Sequence, residues 1–276
     1  MKRLIVVLTA AVLSVAFAVP AGAGDGLAPG LPVYLALGNS LAAGSGASDQ
    51  SATAYVPVFY DALQDELDCS PAASDNAASG CRNLQLHNIA VGGAKSGDLI
   101  AIQLPIAVAE LSARNGDANP RNDVEVVTVD IGGNDLFDPV IGACAGGFSA
   151  ECGAVVESVF GTFAVNFNSI LGQLRAAAGP DTPIIVMTYY NSLLACNLSS
   201  LAPVADVVLE GAGPGSLLPV GFNDVIRSIA AGHGAEVADT FGDLAAGDLV
   251  GGTDCLHPDD SGHAIIAADF LAAFES

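Results

Sequence analysis

The sequence contains no tryptophan and few cationic residues. Eight Lys and Arg stand against 30 Asp and Glu, which gives a formal net charge of −22 at pH 7. Such a surface repels phosphate backbones, so we expect no nucleic-acid partner, and it disfavours anionic membranes. Charged residues make up only 14% of the chain and apolar residues 51%, so the chain is expected to fold compactly rather than remain disordered.

The N-terminus has the pattern of a secretory signal peptide. Lys2 and Arg3 precede an apolar run over residues 4–19, and small residues then favour cleavage after Ala23. A retained anchor helix is the alternative, which the shortness of the run disfavours. No later segment has enough uninterrupted apolar length to span a bilayer. We therefore predict a signal peptide over 1–23 and one exported, monomeric domain over 24–276, without stable membrane insertion.

Common metal-binding motifs are absent, and the six cysteines indicate disulfides instead. No CxxC pair and no HExxH motif occurs, so we expect neither a metal site nor a cofactor. Six cysteines in an exported chain predict three disulfides. Many pairings are possible, but two cysteine pairs bracket short loops of small residues, so local pairing is the simplest choice. It gives Cys69–Cys81, Cys144–Cys152 and, from the remaining two, Cys196–Cys255.

Apolar runs of strand length alternate with longer stretches that carry apolar residues at helical spacing. The predicted strands are 33–38, 85–91, 123–130, 183–190 and 236–241. The predicted helices are 55–67, 98–113, 155–178, 217–231 and 259–274. Residues 199–216 are rich in Ser, Pro, Gly and Ala, which is typical of a mobile surface segment. The alternation predicts an α/β fold with a parallel sheet covered by helices on both faces.

Ser40 directly follows the first predicted strand, within Gly38-Asn39-Ser40-Leu41. Open α/β sheets place reactive groups at this end of a strand. Glycines at positions 38, 44 and 46 let the backbone turn sharply and approach a ligand. Taken alone, a serine after a strand is more often a helix cap than a nucleophile.

Two further turns after predicted strands offer hydrogen-bond donors. Gly92-Gly93 superficially resembles a phosphate loop, but Ala94 stands where such a loop has glycine, so we reject nucleotide binding. A glycine turn whose backbone N–H points into a site is the better interpretation. Asn134 follows Gly132-Gly133, and its carboxamide can donate to an oxyanion; an ordinary Asx turn is the alternative.

Near the C-terminus an acid and an imidazole lie three residues apart, in Asp254-Cys255-Leu256-His257-Pro258. A histidine acts as a general base near neutral pH when a carboxylate fixes its tautomer and stabilises its charged form. Asp254 can hold one ring nitrogen of His257 and leave the other free for a hydroxyl. The three other histidines have no acid placed in this way, so we expect structural or solvated roles for His87, His233 and His263.

Four blocks therefore stand in order: 38–41, 88–93, 132–135 and 254–258. Together they resemble the SGNH hydrolase superfamily, the GDSL-type esterases and lipases, from about Val33 to the C-terminal helix. The resemblance implies a flavodoxin-like three-layer α/β/α sandwich with a parallel central sheet and a shallow, exposed site. One departure is Asn39, where the family usually has aspartate. Asparagine is nearly isosteric, so we expect the serine turn to keep its geometry.

Carried over by residue, the resemblance makes Ser40 the nucleophile, His257 the general base and Asp254 its orienting acid. The Ser40 and Gly93 N–H groups and the Asn134 side chain would form the oxyanion hole. Exported actinobacterial-type members carry three disulfides in sequence order, which is the same pairing as above. The implied function is a secreted serine carboxylic ester hydrolase that forms an acyl-enzyme on a small-molecule or lipid ester. A phospholipase, a carbohydrate acetyl esterase, a peptide hydrolase and a non-catalytic carbohydrate- or surface-binding protein remain as alternatives.

Overall fold

The structure is a computed structural model that describes residues 27–67 and 83–276. The predicted signal peptide, 1–23, and the predicted Cys69–Cys81 bridge lie outside the described residues. Both other predicted disulfides are formed. Cys144–Cys152 joins two consecutive helices, and Cys196–Cys255 joins segments 59 residues apart in the chain.

Five short strands form one all-parallel sheet in the order β2-β1-β3-β4-β5. They are β1 Val33–Gly38, β2 Gln85–Asn88, β3 Val124–Asp130, β4 Ile184–Met187 and β5 Glu236–Ala238. The central strands β1, β3 and β4 are buried over nearly their whole length, as expected for apolar runs covered on both faces. Strands β2, β4 and β5 end earlier than predicted, because the last apolar residues of each run lie in the turns that follow the ladder.

The helices follow the predicted alternation, with different boundaries. They are α1 Tyr55–Glu66, α2 Ser96–Asp98, α3 Leu104–Arg114, α4 Gly133–Cys144, α5 Ala150–Ala178, α6 Ala202–Glu210, α7 Phe222–Gly232 and α8 Asp260–Phe274. A π-helical turn, Leu99–Gln103, connects α2 to α3. The predicted single helix over 98–113 is thus a composite.

The strand order assigns the helices to two layers. The chain steps from β1 outward to β2 and then crosses back past β1 to β3, so right-handed crossovers place α1 on one face and α3, α5 and α7 on the other. Helix α8 packs against α1, with the rings of Tyr55 and Phe270 stacked at a centroid distance of 5.0 Å. On the opposite face, the ring centroids of Phe163 of α5 and Phe222 of α7 lie 4.5 Å apart. The flavodoxin-like three-layer prediction is confirmed.

Residues 199–216, where the sequence analysis predicts a mobile surface segment and no helix, contain α6. Pro203 occupies the first turn, where a missing N–H has no cost, and apolar residues then recur at helical spacing. The Gly and Ser residues that flank this short helix obscure the pattern in the sequence. Conversely, 217–221 are not helical, and α7 begins only at Phe222.

Two stretches of helix are long and apolar enough, by length and composition alone, to cross a membrane: Ser96–Arg114 and Ala150–Ala178. This finding differs from the prediction that no segment after residue 23 has enough apolar length to span a bilayer. In the fold both stretches contribute side chains to the same buried core as the strands, among them Leu99, Leu111, Phe163 and Leu171. They also pack against one another. One face of each stretch therefore packs in this core.

Candidate active site

The candidate site lies where the crossover direction of the sheet reverses, between β1 and β3. Open α/β sheets bind ligands at the carboxyl ends of the strands at such a point. Ser40 follows β1 by two residues, and Gly132, Gly133 and Asn134 follow β3. The register pairs Gly38 with Asp130, so the two turns leave the sheet side by side.

The turn that carries Ser40 is held by Asn39. The Asn39 side chain accepts a hydrogen bond from the Leu41 N–H at 2.9 Å, an Asx turn that encloses the serine. Its amide donates to the Tyr189 hydroxyl at 3.2 Å, and the whole side chain is buried. Both contacts are hydrogen bonds of a neutral amide, so neither requires a negative charge at position 39. The expectation that asparagine preserves the serine turn agrees with this geometry.

Ser40, His257 and Asp254 form one continuous hydrogen-bonded chain. The Ser40 Oγ lies 2.8 Å from His257 Nε2, and His257 Nδ1 lies 2.8 Å from Asp254 Oδ2. The other Asp254 oxygen accepts hydrogen bonds from the backbone N–H groups of Leu256 and His257. The Asp254 carboxylate therefore orients both the His257 ring and its loop. The other ring nitrogen, Nε2, faces the hydroxyl of Ser40, which lies 217 positions away in the sequence.

Asp254 is set up to carry a negative charge. Partial burial alone would raise the pKa of its carboxyl, but hydrogen bonds from the His257 ring and from two backbone N–H groups outweigh burial and lower the pKa. An ionised carboxylate next to Nδ1 favours the tautomer with the proton on Nδ1, which leaves Nε2 free to accept a hydrogen bond from the Ser40 hydroxyl.

The loop that carries His257 is attached to the rest of the fold at several points. The Cys196–Cys255 bridge ties it to the segment after β4, and the Tyr190 hydroxyl donates to the Leu256 carbonyl at 2.7 Å. Gly46, in the loop after Ser40, packs so tightly here that an added Cβ would lie 2.1 Å from the Pro258 oxygen. A side chain at position 46 would therefore push the His257 loop away from Ser40.

Asn134 links the turns that follow β2 and β3. Its amide donates to the Ala94 carbonyl at 3.0 Å, and its second N–H remains available to another acceptor. Gly93, directly before Ala94, has φ = +79°, a left-handed conformation that favours glycine, and it is exposed. Asn134 lines the cavity described below together with Ser40, whereas Gly93 is not among the residues that line it.

The other histidines contact groups outside this chain of hydrogen bonds. His263 is fully buried; its Nδ1 accepts from the Tyr55 N–H and its Nε2 donates to the Ser45 carbonyl, which is a structural role. His233 bonds to the exposed Asn168 side chain. His87 pairs with the carboxylate of Glu110, a contact outside the candidate site that fits the expected structural role. That acid is 23 positions away in the sequence, on α3, so local spacing could not reveal it.

An open cavity of about 850 Å³, which includes the solvent-filled space at its mouth, begins beside Ser40. Its polar lining is concentrated at Asn39, Ser40, Asn134 and His257. Ser192, Tyr189 and Tyr190 also line it. Most of the remaining lining is apolar and comes from one face each of α4 and α6: Leu136, Phe137, Val140, Ile141, Val204, Ala205, Val208 and Leu209. Helix α6, which the sequence analysis does not predict, supplies the second wall of this cavity.

Two further carboxylates support the site. Asp135 accepts hydrogen bonds from the Ser96 N–H and hydroxyl, at 2.9 and 2.6 Å, which fixes the loop that contains Gly93. Asp130 lies beneath the serine turn, where its carboxylate accepts from the Asn39 N–H at 2.8 Å. The sequence feature that points to Asp130 is an acid at the end of a valine-rich run that predicts a buried strand. Among the described residues, no group of three or more His, Cys, Asp or Glu side chains is arranged to hold a metal ion.

Comparison with known families and structures agrees with this geometry. The sequence matches the GDSL-like Lipase/Acylhydrolase family over residues 36–265, and the chain belongs to this family. It is accordingly a carboxylic ester hydrolase, and the resemblance seen in the sequence is confirmed. No curated protein matches the chain.

Solved structures show the same fold at low sequence identity. The lipase Lip_vut3 from a goat rumen metagenome is 16% identical, with a TM-score of 0.60 over 88% of this chain and 97% of that one. An extracellular lipase from Streptomyces rimosus is 21% identical, with a TM-score of 0.53 over 88% of this chain and 99% of that one. At such identities the likeness supports the architecture only.

Proposed function

We propose that the protein is a serine ester hydrolase that forms an acyl-enzyme on Ser40. The observation that carries this proposal is the unbroken Ser40–His257–Asp254 chain, with 2.8 Å at each side-chain contact of the ring. His257 takes the proton as Ser40 Oγ attacks the ester carbonyl, and Asp254 stabilises the resulting imidazolium. His257 then protonates the leaving alcohol. Water, deprotonated by the same ring, attacks the acyl-enzyme and releases the acid.

The oxyanion of each tetrahedral intermediate needs donors that are already in place. We assign this role to the Ser40 and Gly93 N–H groups and to the second amide N–H of Asn134. The Asn134 bond to Ala94 supports this assignment, because it orients the amide and brings the Gly93 turn alongside. Loss of one such donor costs about 3 kcal/mol of transition-state stabilisation in serine hydrolases.

The cavity favours esters of acids with an extended alkyl chain over acetyl esters. Asn134 and Cys144 both line it, and they lie at opposite ends of α4. Ten residues at 1.5 Å each span about 15 Å of helix. This length accommodates roughly ten methylene groups, since a C–C bond of about 1.5 Å advances about 1.25 Å along an extended chain. The apolar walls favour the lipase or phospholipase alternative over a carbohydrate acetyl esterase.

We also propose that the protein acts outside the cell, after removal of residues 1–23. The two disulfides of the described residues are compatible with an extracellular protein. The apolar run that precedes Ala23 supplies the export signal in this proposal.

Filling the cavity should change the preference for acyl chains. With p-nitrophenyl esters, we expect wild-type kcat/KM to be at least about 10-fold higher for decanoate than for acetate, since each buried methylene contributes about 0.8 kcal/mol. Ala205→Phe places a ring between α6 and α4, so kcat/KM for decanoate should fall about 10-fold while that for acetate changes little. Ala154→Phe, on an exposed part of α5, is the matched control and should leave both values unchanged.

Two results would contradict this assignment. A wild-type enzyme that prefers acetate would redirect the search to sugar acetates and other short esters. Equal losses for acetate and decanoate in Ala205→Phe would mean that the cavity does not hold the acyl chain.

A further inference from the structure

Asp130 is a fully buried carboxylate directly beneath the serine turn, and the proposed reaction does not use it. One oxygen accepts a hydrogen bond from the Asn39 N–H at 2.8 Å, and the other accepts from the Tyr55 hydroxyl at 2.6 Å. The Ala42 N–H lies near the same carboxylate and stabilises its ionised form, and the Asn39 N–H also donates to the Asp130 carbonyl at 3.1 Å. Backbone N–H groups on either side of Ser40 therefore interact with this carboxylate.

The sequence of the turn leaves room for this carboxylate. A Cβ added to Gly38 would lie 2.3 Å from Asp130 Oδ1, so the carboxylate occupies the place where a side chain at position 38 would stand. On the other side of Gly38, the Gln103 amide bonds to both its N–H and its carbonyl, at 2.9 and 2.8 Å. The backbone that leads into Ser40 is thus fixed from two directions by buried polar side chains.

We propose that Asp130 is a positioning residue for the nucleophile: its ionised carboxylate holds the Asn39 and Ala42 N–H groups and thereby fixes Ser40 against His257. This inference rests on the proposed role of Ser40. An ionised carboxylate favours all three groups, and charge-assisted hydrogen bonds such as those from Asn39 and Tyr55 are roughly twice as strong as neutral ones. Once the Asp130 carboxyl is protonated, its O–H group faces hydrogen-bond donors. Only the Tyr55 hydroxyl can reorient so that its oxygen accepts a hydrogen bond from this O–H group. Protonation therefore loosens the turn.

The surroundings of Asp130 make this protonation relevant near neutral pH. Burial raises its pKa to about 7, against the opposing hydrogen bonds from Tyr55, Asn39 and Ala42. The titratable groups that face it are phenols: Tyr34 of β1, Tyr55 of α1, and Tyr189 and Tyr190 after β4. Burial raises the pKa of all four phenols, so they stay neutral. His263 of α8 stacks on Tyr55, and burial lowers its pKa.

The test compares the pH dependence of kcat and KM in three variants of the full mature chain. Asp130→Asn keeps the shape of the side chain and removes its ionisation. We expect kcat at pH 9 to fall on the order of 10-fold, as small misplacements of a nucleophile do, with KM changed little. The wild-type profile should contain an ionisation near pH 7 that Asp130→Asn lacks.

Tyr55→Phe and Thr128→Val separate positioning from stability. Tyr55→Phe removes a hydrogen bond that lowers the pKa of Asp130, so the same ionisation should move to higher pH while kcat at pH 9 stays near wild type. Thr128 lies on β3, the strand that ends at Asp130, and Thr128→Val removes its buried hydrogen bond to the Tyr34 hydroxyl. This variant should leave the pH profile unchanged. If Asp130→Asn does not fold, the shift of the ionisation to higher pH in Tyr55→Phe still tests the inference.

The inference is overturned if neither Asp130→Asn nor Tyr55→Phe changes the pH profile. It is also overturned if Asp130→Asn and Thr128→Val lose kcat equally and both losses parallel a fall in thermal stability. Ser40→Ala, measured alongside, distinguishes two failures. An inactive Ser40→Ala with a wild-type Asp130→Asn rejects only the role of Asp130. An active Ser40→Ala rejects the proposed function itself.

Discussion

Ser40→Ala is expected to abolish hydrolysis of p-nitrophenyl esters, with kcat falling by about 10⁴- to 10⁶-fold. The reason is chemical: alanine cannot form the acyl-enzyme, and only the oxyanion donors and the binding cavity remain. The fold should tolerate the change, because the hydroxyl makes one hydrogen bond, to His257, from a half-buried position. We expect the free energy of unfolding to change by about 1 kcal/mol or less.

Ser51→Ala is a suitable control, since Ser51 lies exposed in the loop that follows and bonds only locally to Asp49. It should leave both activity and thermal unfolding unchanged. If Ser40→Ala instead retained substantial turnover after purification, another group would have to be the nucleophile.

His257→Ala should be nearly as severe, with a loss of about 10⁴-fold or more in kcat. Without the ring, Ser40 has no base and Asp254 keeps only its two backbone donors. Because the losses come from one concerted unit, Ser40→Ala/His257→Ala should be no worse than the more severe single variant. The double variant therefore checks that both residues serve the same step.

His233→Ala is the matched histidine control, because its ring bonds to an exposed asparagine and does not reach the site. His263 is unsuitable for this purpose, since it is buried and connects two segments near the serine turn. Additive losses in the Ser40/His257 double variant would contradict the shared role of the two residues.

The sequence revealed the candidate site more completely than its surroundings. Ser40, Asn134 and His257 each follow a recognisable local pattern, and strand ends bring such patterns together in any parallel sheet. The Asp254–His257 contact is also local, because it spans three residues. Asp130 and the pair His87–Glu110 depend on contacts between distant segments, and no periodicity encodes those.

The cavity was missed because α6 was missed. Its apolar positions, Val204, Val208 and Leu209, have helical spacing, but residues typical of loops flank them, and a segment of nine residues gives little periodicity to detect. Strand ends were overestimated for a related physical reason. The apolar residue Tyr189 belongs to the core, but its backbone N–H bonds to the Asn223 side chain rather than to a neighbouring strand.

The most direct measurement is covalent labelling with a serine-reactive alkyl phosphonate, followed by peptide mass spectrometry. Wild-type protein should gain one phosphonyl group on the peptide that contains Ser40, with activity lost in proportion. Ser40→Ala should gain none, and His257→Ala should react far more slowly, because the hydroxyl lacks its base. A label on a different residue, or full inhibition without any adduct at Ser40, would contradict a serine hydrolase built on this residue.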